Sequence, residues 1–232
     1  EELVRERTAR LREAMEELEH FSYSMVHDMR APLRSMTMFA SLLLQDYADR
    51  LPPAAQDNLT RIFNSAKRMD SLVTDALHYA TVLRAELPLQ PIDAGQLLRG
   101  LVESYPEFQP ANAEIRLEEP LPAVLGNEAF LTQCFSNLLG NAVKFVPPGV
   151  KPRIRVWAET VPPPATDPAP NGAGPSADGS RVRIWFEDNG VGVPVTGRLR
   201  IFDMFQRLHV GYPGTGIGLA IVRKAAERMG GK

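Results

Sequence analysis

Asn137-Leu138-Leu139-Gly140-Asn141-Ala142-Val143-Lys144 decides how the second half of this chain is read. Leu138, Leu139, Ala142 and Val143 suit a buried helix, but the two Asn and the Lys fall at i, i+4 and i+7 and so share one face. Polar groups on such a face invite a ligand. Carboxamide oxygens suit a hard cation such as Mg2+, and an ammonium suits phosphate oxygens. The helix reads from Glu128 to Lys144, and a second helical stretch lies at Ala94 to Ser104. Ile115 to Leu117, Arg153 to Ala158 and Arg181 to Glu187 read as strands, the last two with clear alternation. The spacing predicts an α+β domain over residues 87–232.

Two glycine-rich boxes flank that pattern. Asp188-Asn189-Gly190-Val191-Gly192 follows directly on a strand, and Gly214-Thr215-Gly216-Ile217-Gly218 runs into an apolar helix from Leu219 to Met229. Glycine lets backbone approach a ligand closely, and a helix N-terminus offers free amides to phosphate. Each box alone reads equally well as a structural turn. Residues 161–180 hold six Pro and three Gly with almost no large apolar side chain, which predicts a long mobile hairpin loop without chemistry of its own.

Bulk composition narrows the function classes. In 232 residues, 44% are hydrophobic and 23% charged, which fits neither a disordered chain nor a membrane bundle. A formal net charge of -2 gives no global field for nucleic acid, so anion binding has to be local. The single Cys134 sits in an apolar run and reads as a buried thiol of a reducing compartment, which makes the cytoplasm the expected location. No segment approaches the roughly 20 apolar residues of a membrane span.

The first half is helical. Val4, Leu11, Leu18 and Met25 recur every seven residues, the seam of a coiled coil over residues 1–20. Met29, Leu33, Met36, Ala40, Leu43 and Tyr47 form a second, offset seam, with Pro32 at the offset, so a bend is expected just after His27. A turn at Asp49 to Pro53 precedes Leu59, Ile62, Ala66, Met69, Val73, Ala76, Ala80 and Leu83, again in helical steps. Residues 21–86 are therefore read as an antiparallel hairpin, and two hairpins across a two-fold axis would bury stripes that one leaves bare. A homodimeric four-helix bundle is the expectation, with Met36, Leu43, Ile62 and Met69 among its buried side chains.

The helix around Asn137 and Asn141, the Asp188 box, the segment Ile201-Phe202-Asp203-Met204-Phe205 and the Gly214 box resemble, in order and spacing, the ATP-binding domain of sensor histidine kinases. Upstream, Ser24-Met25-Val26-His27-Asp28-Met29-Arg30-Ala31-Pro32-Leu33 looks like the phosphoacceptor helix of that family. Phe205-Gln206-Arg207-Leu208-His209 and Tyr212-Pro213-Gly214 look most like the phytochrome-associated type. The resemblance implies an α/β-sandwich ATP-binding domain, C-terminally truncated because the family usually continues past Gly230-Gly231-Lys232.

The same resemblance implies the roles. Asp188 would accept from the adenine amino group, Gly190 and Gly192 would floor the pocket, and Asn141, assisted by Asn137, would hold Mg2+. Lys144 would contact phosphates, with Arg207 a further candidate. Phe202 and Phe205 would anchor a lid that Gly214, Gly216 and Gly218 let fold over ATP. His27 would be the nucleophile, its tautomer fixed by Asp28, and the phosphoryl group would pass to an aspartate in the receiver domain of a response regulator. An upstream sensor would supply the signal. Ala31, one turn after His27, departs from the Thr or Asn of members that dephosphorylate their partner, so phosphatase activity is not expected. Two rival readings remain at this level: a non-catalytic dimeric scaffold with the same fold, and an ATPase of the related gyrase and chaperone superfamily.

Overall fold

The computed structural model describes residue 7, residues 24, 26 and 28–84, and then 88–162, 180–209 and 211–232. The chain divides into two compact units, Glu1–Thr81 and Val82–Lys232. The coiled-coil expectation for residues 1–20 and most of the loop expected at 161–180 lie outside the described residues. The same holds for His27 and for the bend expected just after it.

The first unit is a helical hairpin. Helix α1 covers residues 28–46 and continues through Pro32. It ends before a short 3-10 turn, Ala48–Arg50, where Gln56 donates from its amide to the carbonyls of Ala48 and Leu51 and closes the corner. Helix α2, Pro53–Arg84, begins on a proline, whose missing N–H costs nothing at a first helical turn. Leu33, Ala40 and Ala66 are buried between the two helices. Arg30 bridges them, donating to the Thr74 hydroxyl at 2.7 Å and lying 3.8 Å from Asp70.

The second unit has helices packed against sheet. Strand β1 (Gln90–Asp93) pairs antiparallel with β3 (Ala123–Gly126), and a three-stranded sheet runs β2 (Glu114–Leu117), β4 (Arg153–Val161), β5 (Arg181–Asp188). β2 and β4 are parallel, which requires a crossover; β3 and helix α4 (Glu128–Lys144) supply it. β4 and β5 are antiparallel, paired from Ile154 opposite Asp188 to Val161 opposite Arg181, so residues 162–180 connect a hairpin. Helix α3 (Ala94–Ser104) starts where the Asp93 carboxylate accepts from the Gln96 amide, and α4 starts where Asn127 does the same for Phe130. Helix α5 (Gly218–Arg228) packs on α4. Leu98, Leu139, Val156, Ile217 and Ile221 are fully buried and form the centre of the layer between helices and sheet.

The helices at 94–104 and 128–144 coincide with the expectation, whereas β1 and β3 were not foreseen. Among the described residues, no helix is long and apolar enough to cross a membrane. Cys134 is buried, and desolvation pushes its thiol from 9.0 up to about 12, so it stays protonated and inert.

Candidate functional site

Alternation in β5 places Asp188 on the same side as Ile184 and Phe186, the side that faces the helices, but at the strand's open end. Phe186 stacks at a tilt on Phe135 of α4, with centroids 5.8 Å apart, which sets the strand against the helix that carries Asn137, Asn141 and Lys144. The chain then turns. Asp188 Oδ1 accepts from the Gly190 amide at 2.8 Å, and the Val191 amide donates to the Phe145 carbonyl, also at 2.8 Å. The turn is thereby tied to the end of α4. Asn189 faces away from this site: its carboxamide accepts from the Arg153 amide and donates to the Lys151 carbonyl, closing the end of the sheet.

On α4, Lys144 Nζ donates to Asn141 Oδ1 at 3.1 Å and lies 4.3 Å from the centroid of the Phe145 ring. Asn137 lies one turn back, against the start of α5: a Cβ at Gly218 would come within 2.9 Å of its Oδ1. Its Nδ2 is buried without a hydrogen-bond partner. A buried donor left unpaired costs free energy, so its place beneath the α5 terminus marks a spot built for more than packing. Helix α5 begins at Gly218 after Ile217, and no side chain caps it, which leaves first-turn amides for an anion. Thr215 is buried and instead accepts from the Ile217 amide at 3.3 Å.

The segment between β5 and α5 returns over the end of α4. A Cβ at Gly214 would lie 3.0 Å from Lys144 Nζ, so this backbone runs directly over the ammonium. Gly216 has φ +80, and a Cβ there would meet the Gln206 carbonyl at 2.8 Å; only glycine fits. Of the two phenylalanines expected to anchor the segment, Phe202 is half-buried, whereas Phe205 is 61% exposed and has a φ of 61. Burial therefore anchors only Phe202. Arg207 Nη2 donates to the Tyr212 carbonyl at 2.7 Å, within the segment itself.

The structure thus brings Asn137, Asn141, Lys144, Gly214 and Gly218 together, with Asp188, Gly190 and Gly192 on the adjoining turn. A carboxamide oxygen, an ammonium and an uncapped helix start form a donor set that fits a triphosphate with its hard cation. Asp28 is exposed on α1 in the other unit. Sequence reasoning missed the aromatic cluster of Phe145, His209 and Tyr212 beside Lys144. These residues are scattered in the chain and follow no spacing that would signal them.

Two family models match the chain. One, the His Kinase A phospho-acceptor domain, covers residues 17–83; the other, the histidine kinase-, DNA gyrase B- and HSP90-like ATPase, covers residues 126–232. Cyanobacterial phytochrome B of Nostoc sp. is 27% identical over 96% of this chain and 28% of its own length. The sensor histidine kinase AruS of Pseudomonas aeruginosa is 30% identical over 99% of this chain and 23% of its own length. This chain spans about a quarter of these curated relatives. Among solved structures, full-length ShkA in complex with AMPPNP is 32% identical with a TM-score of 0.60, covering 91% of this chain and 41% of that one.

Proposed function

Because the chain belongs to the sensor histidine kinases, as the catalytic core that joins their phosphoacceptor and ATP-binding domains, we propose that it phosphorylates itself on His27 at the expense of ATP. It then passes the phosphoryl group to an aspartate of a response-regulator receiver domain. The observation that carries this reading is the convergence of Asn141, Lys144 and the Gly214–Gly218 backbone at the uncapped start of α5.

In this reading the Asp188 carboxylate accepts from the adenine amino group, and the turn through Gly190 and Gly192 floors the base. Lys144 and the first amides of α5 hold the phosphate oxygens and spread their charge. Asn141, with Asn137 beside it, would hold Mg2+, whose positive charge would offset that of the phosphates. The neutral imidazole of His27 attacks the γ-phosphorus, an N–P bond forms, the bond to the bridging oxygen breaks, and ADP leaves. Asp28 accepts a hydrogen bond from the other ring nitrogen and stabilises the cation that develops.

The first unit supports a homodimer. Met36, Leu43, Ile62 and Met69 are each 41 to 48% exposed in the single chain, although their spacing is that of a packed seam. A second hairpin would cover them and complete the four-helix bundle. The phosphoacceptor hairpin also separates this chain from the gyrase-type ATPases that share the nucleotide fold. Incubation with γ-labelled ATP and Mg2+ tests the reading: acid-labile, base-stable label on the wild-type chain and none on His27→Gln is the expected result. Label retained on His27→Gln refutes the assignment.

A further inference from the structure

We infer that Tyr212 and His209 are positioning residues for the nucleotide, holding the Gly214 backbone over the Lys144 ammonium. The inference rests on the reading of Asn141, Lys144 and Gly214 as the triphosphate site.

The described residues between Asp203 and Ile217 form neither helix nor strand, and two backbone ties among them are long. The Gln206 amide reaches the Asp203 carbonyl at 3.4 Å, and the Tyr212 amide reaches that of His209 at 3.5 Å. Side chains hold the segment instead. Tyr212 Oη donates to the Val146 carbonyl, just past α4, at 3.0 Å. The Tyr212 ring packs on Phe145 with centroids 5.3 Å apart, and Arg207 grips the Tyr212 carbonyl at 2.7 Å. His209 Nε2 lies 3.2 Å from the Gly192 carbonyl, in the turn that follows Asp188, and its ring lies 6.4 Å from Phe145 and 6.1 Å from Tyr212.

Phe145 is shared. Tyr212 and His209 lie against its ring, and Lys144 Nζ stands 4.3 Å from the same centroid. Gly214, two residues after Tyr212, is the backbone that approaches Lys144. Fastening Tyr212 to Val146 therefore fixes the distance between the glycine strand and the ammonium, while His209 fastens the same segment to the floor of the base. If the bound geometry is populated only while this clasp is made, the apparent affinity for a triphosphate scales with the fraction of chains that are clasped. The adenosine moiety, which touches the Asp188 turn, depends on the clasp less.

Tyr212→Phe keeps the ring and removes only the bond to Val146; His209→Phe keeps a ring and removes the bond to Gly192. The test titrates the whole chain with AMPPNP and Mg2+, and separately with adenosine, while recording the melting temperature. Each variant is expected to weaken AMPPNP binding by about three- to ten-fold, the range of one net hydrogen bond, and adenosine binding by less than about two-fold on the same scale, with melting lowered by no more than the loss of that one bond accounts for. AMPPNP affinity equal to wild type in both variants overturns the inference. Equal weakening of both ligands with a melting temperature lowered beyond that also overturns it, because that is the mark of a packing role alone. A wild-type chain that binds neither ligand overturns the nucleotide reading itself, and this inference with it.

Discussion

Gly190→Ala places one methyl group where the structure leaves no room. The added Cβ would lie 2.6 Å from the Phe145 carbonyl oxygen and 2.7 Å from Asp188 Oδ1. The first distance is about 0.8 Å short of the 3.4 Å at which ordinary contact begins. The Phe145 oxygen is main chain at the end of α4, so it cannot rotate away; the turn has to move instead. Moving it breaks the bond from the Val191 amide to that oxygen and the bond from the Gly190 amide to Asp188, both 2.8 Å. A neutral hydrogen bond contributes about 1 kcal/mol net, and one to a carboxylate about 1.5 to 3 kcal/mol, with the exposed Asp188 at the low end. The loss is about 2 kcal/mol or more, and it falls on the carboxylate assigned to adenine. AMPPNP binding, followed by calorimetry, should weaken by about thirty-fold, while the helical hairpin, a separate unit, keeps its circular dichroism and its association state. An affinity within about two-fold of wild type would refute the reasoning, for it would mean that the turn has space or that Asp188 does not hold the base.

Ile62→Asp places a charge on the exposed stripe of α2; if a second hairpin covers that stripe, the unpaired carboxylate costs several kcal/mol and light scattering should report monomers. An undisturbed dimer would assign the stripe elsewhere. Cys134 makes stability alkaline-sensitive. Its folded pKa of about 12 lies above the 9.0 of the unfolded chain, so the folded state holds the proton more tightly, and its contribution is complete below pH 9 and lost as pH rises towards 12. Thermal melts of the wild type should fall more steeply across that window than those of Cys134→Ala, and parallel curves would contradict the burial. Gly100 lies inside α3, exposed, with nothing within 4 Å of a would-be Cβ, so Gly100→Ala should raise stability by about 0.5 to 1 kcal/mol in urea titrations.

Local pattern carried much of the architecture. The helix over Glu128–Lys144 was legible because its apolar period is a property of adjacent residues, and the same holds for Ala94–Ser104, whereas their caps at Asn127 and Asp93 were seen only in the structure. Alternation from Arg153 and from Arg181 marked β4 and β5 in the same way, and helical spacing alone put Asn137, Asn141 and Lys144 on one face. β1 and β3 gave no such signal. Each is four residues long, one contains Pro91, and their extended form is sustained by pairing with a partner about thirty residues away. The site divides along the same line. Motif order pointed to Asp188, the glycines and Lys144, but nothing in the order of residues shows that Tyr212 reaches Val146, that His209 reaches Gly192, or that Phe205 stays in solvent. Periodicity states which side chains share a face, because the backbone geometry of a helix or strand is the same everywhere. Which faces meet depends on contacts between residues far apart in the chain, and only the packed tertiary structure decides those.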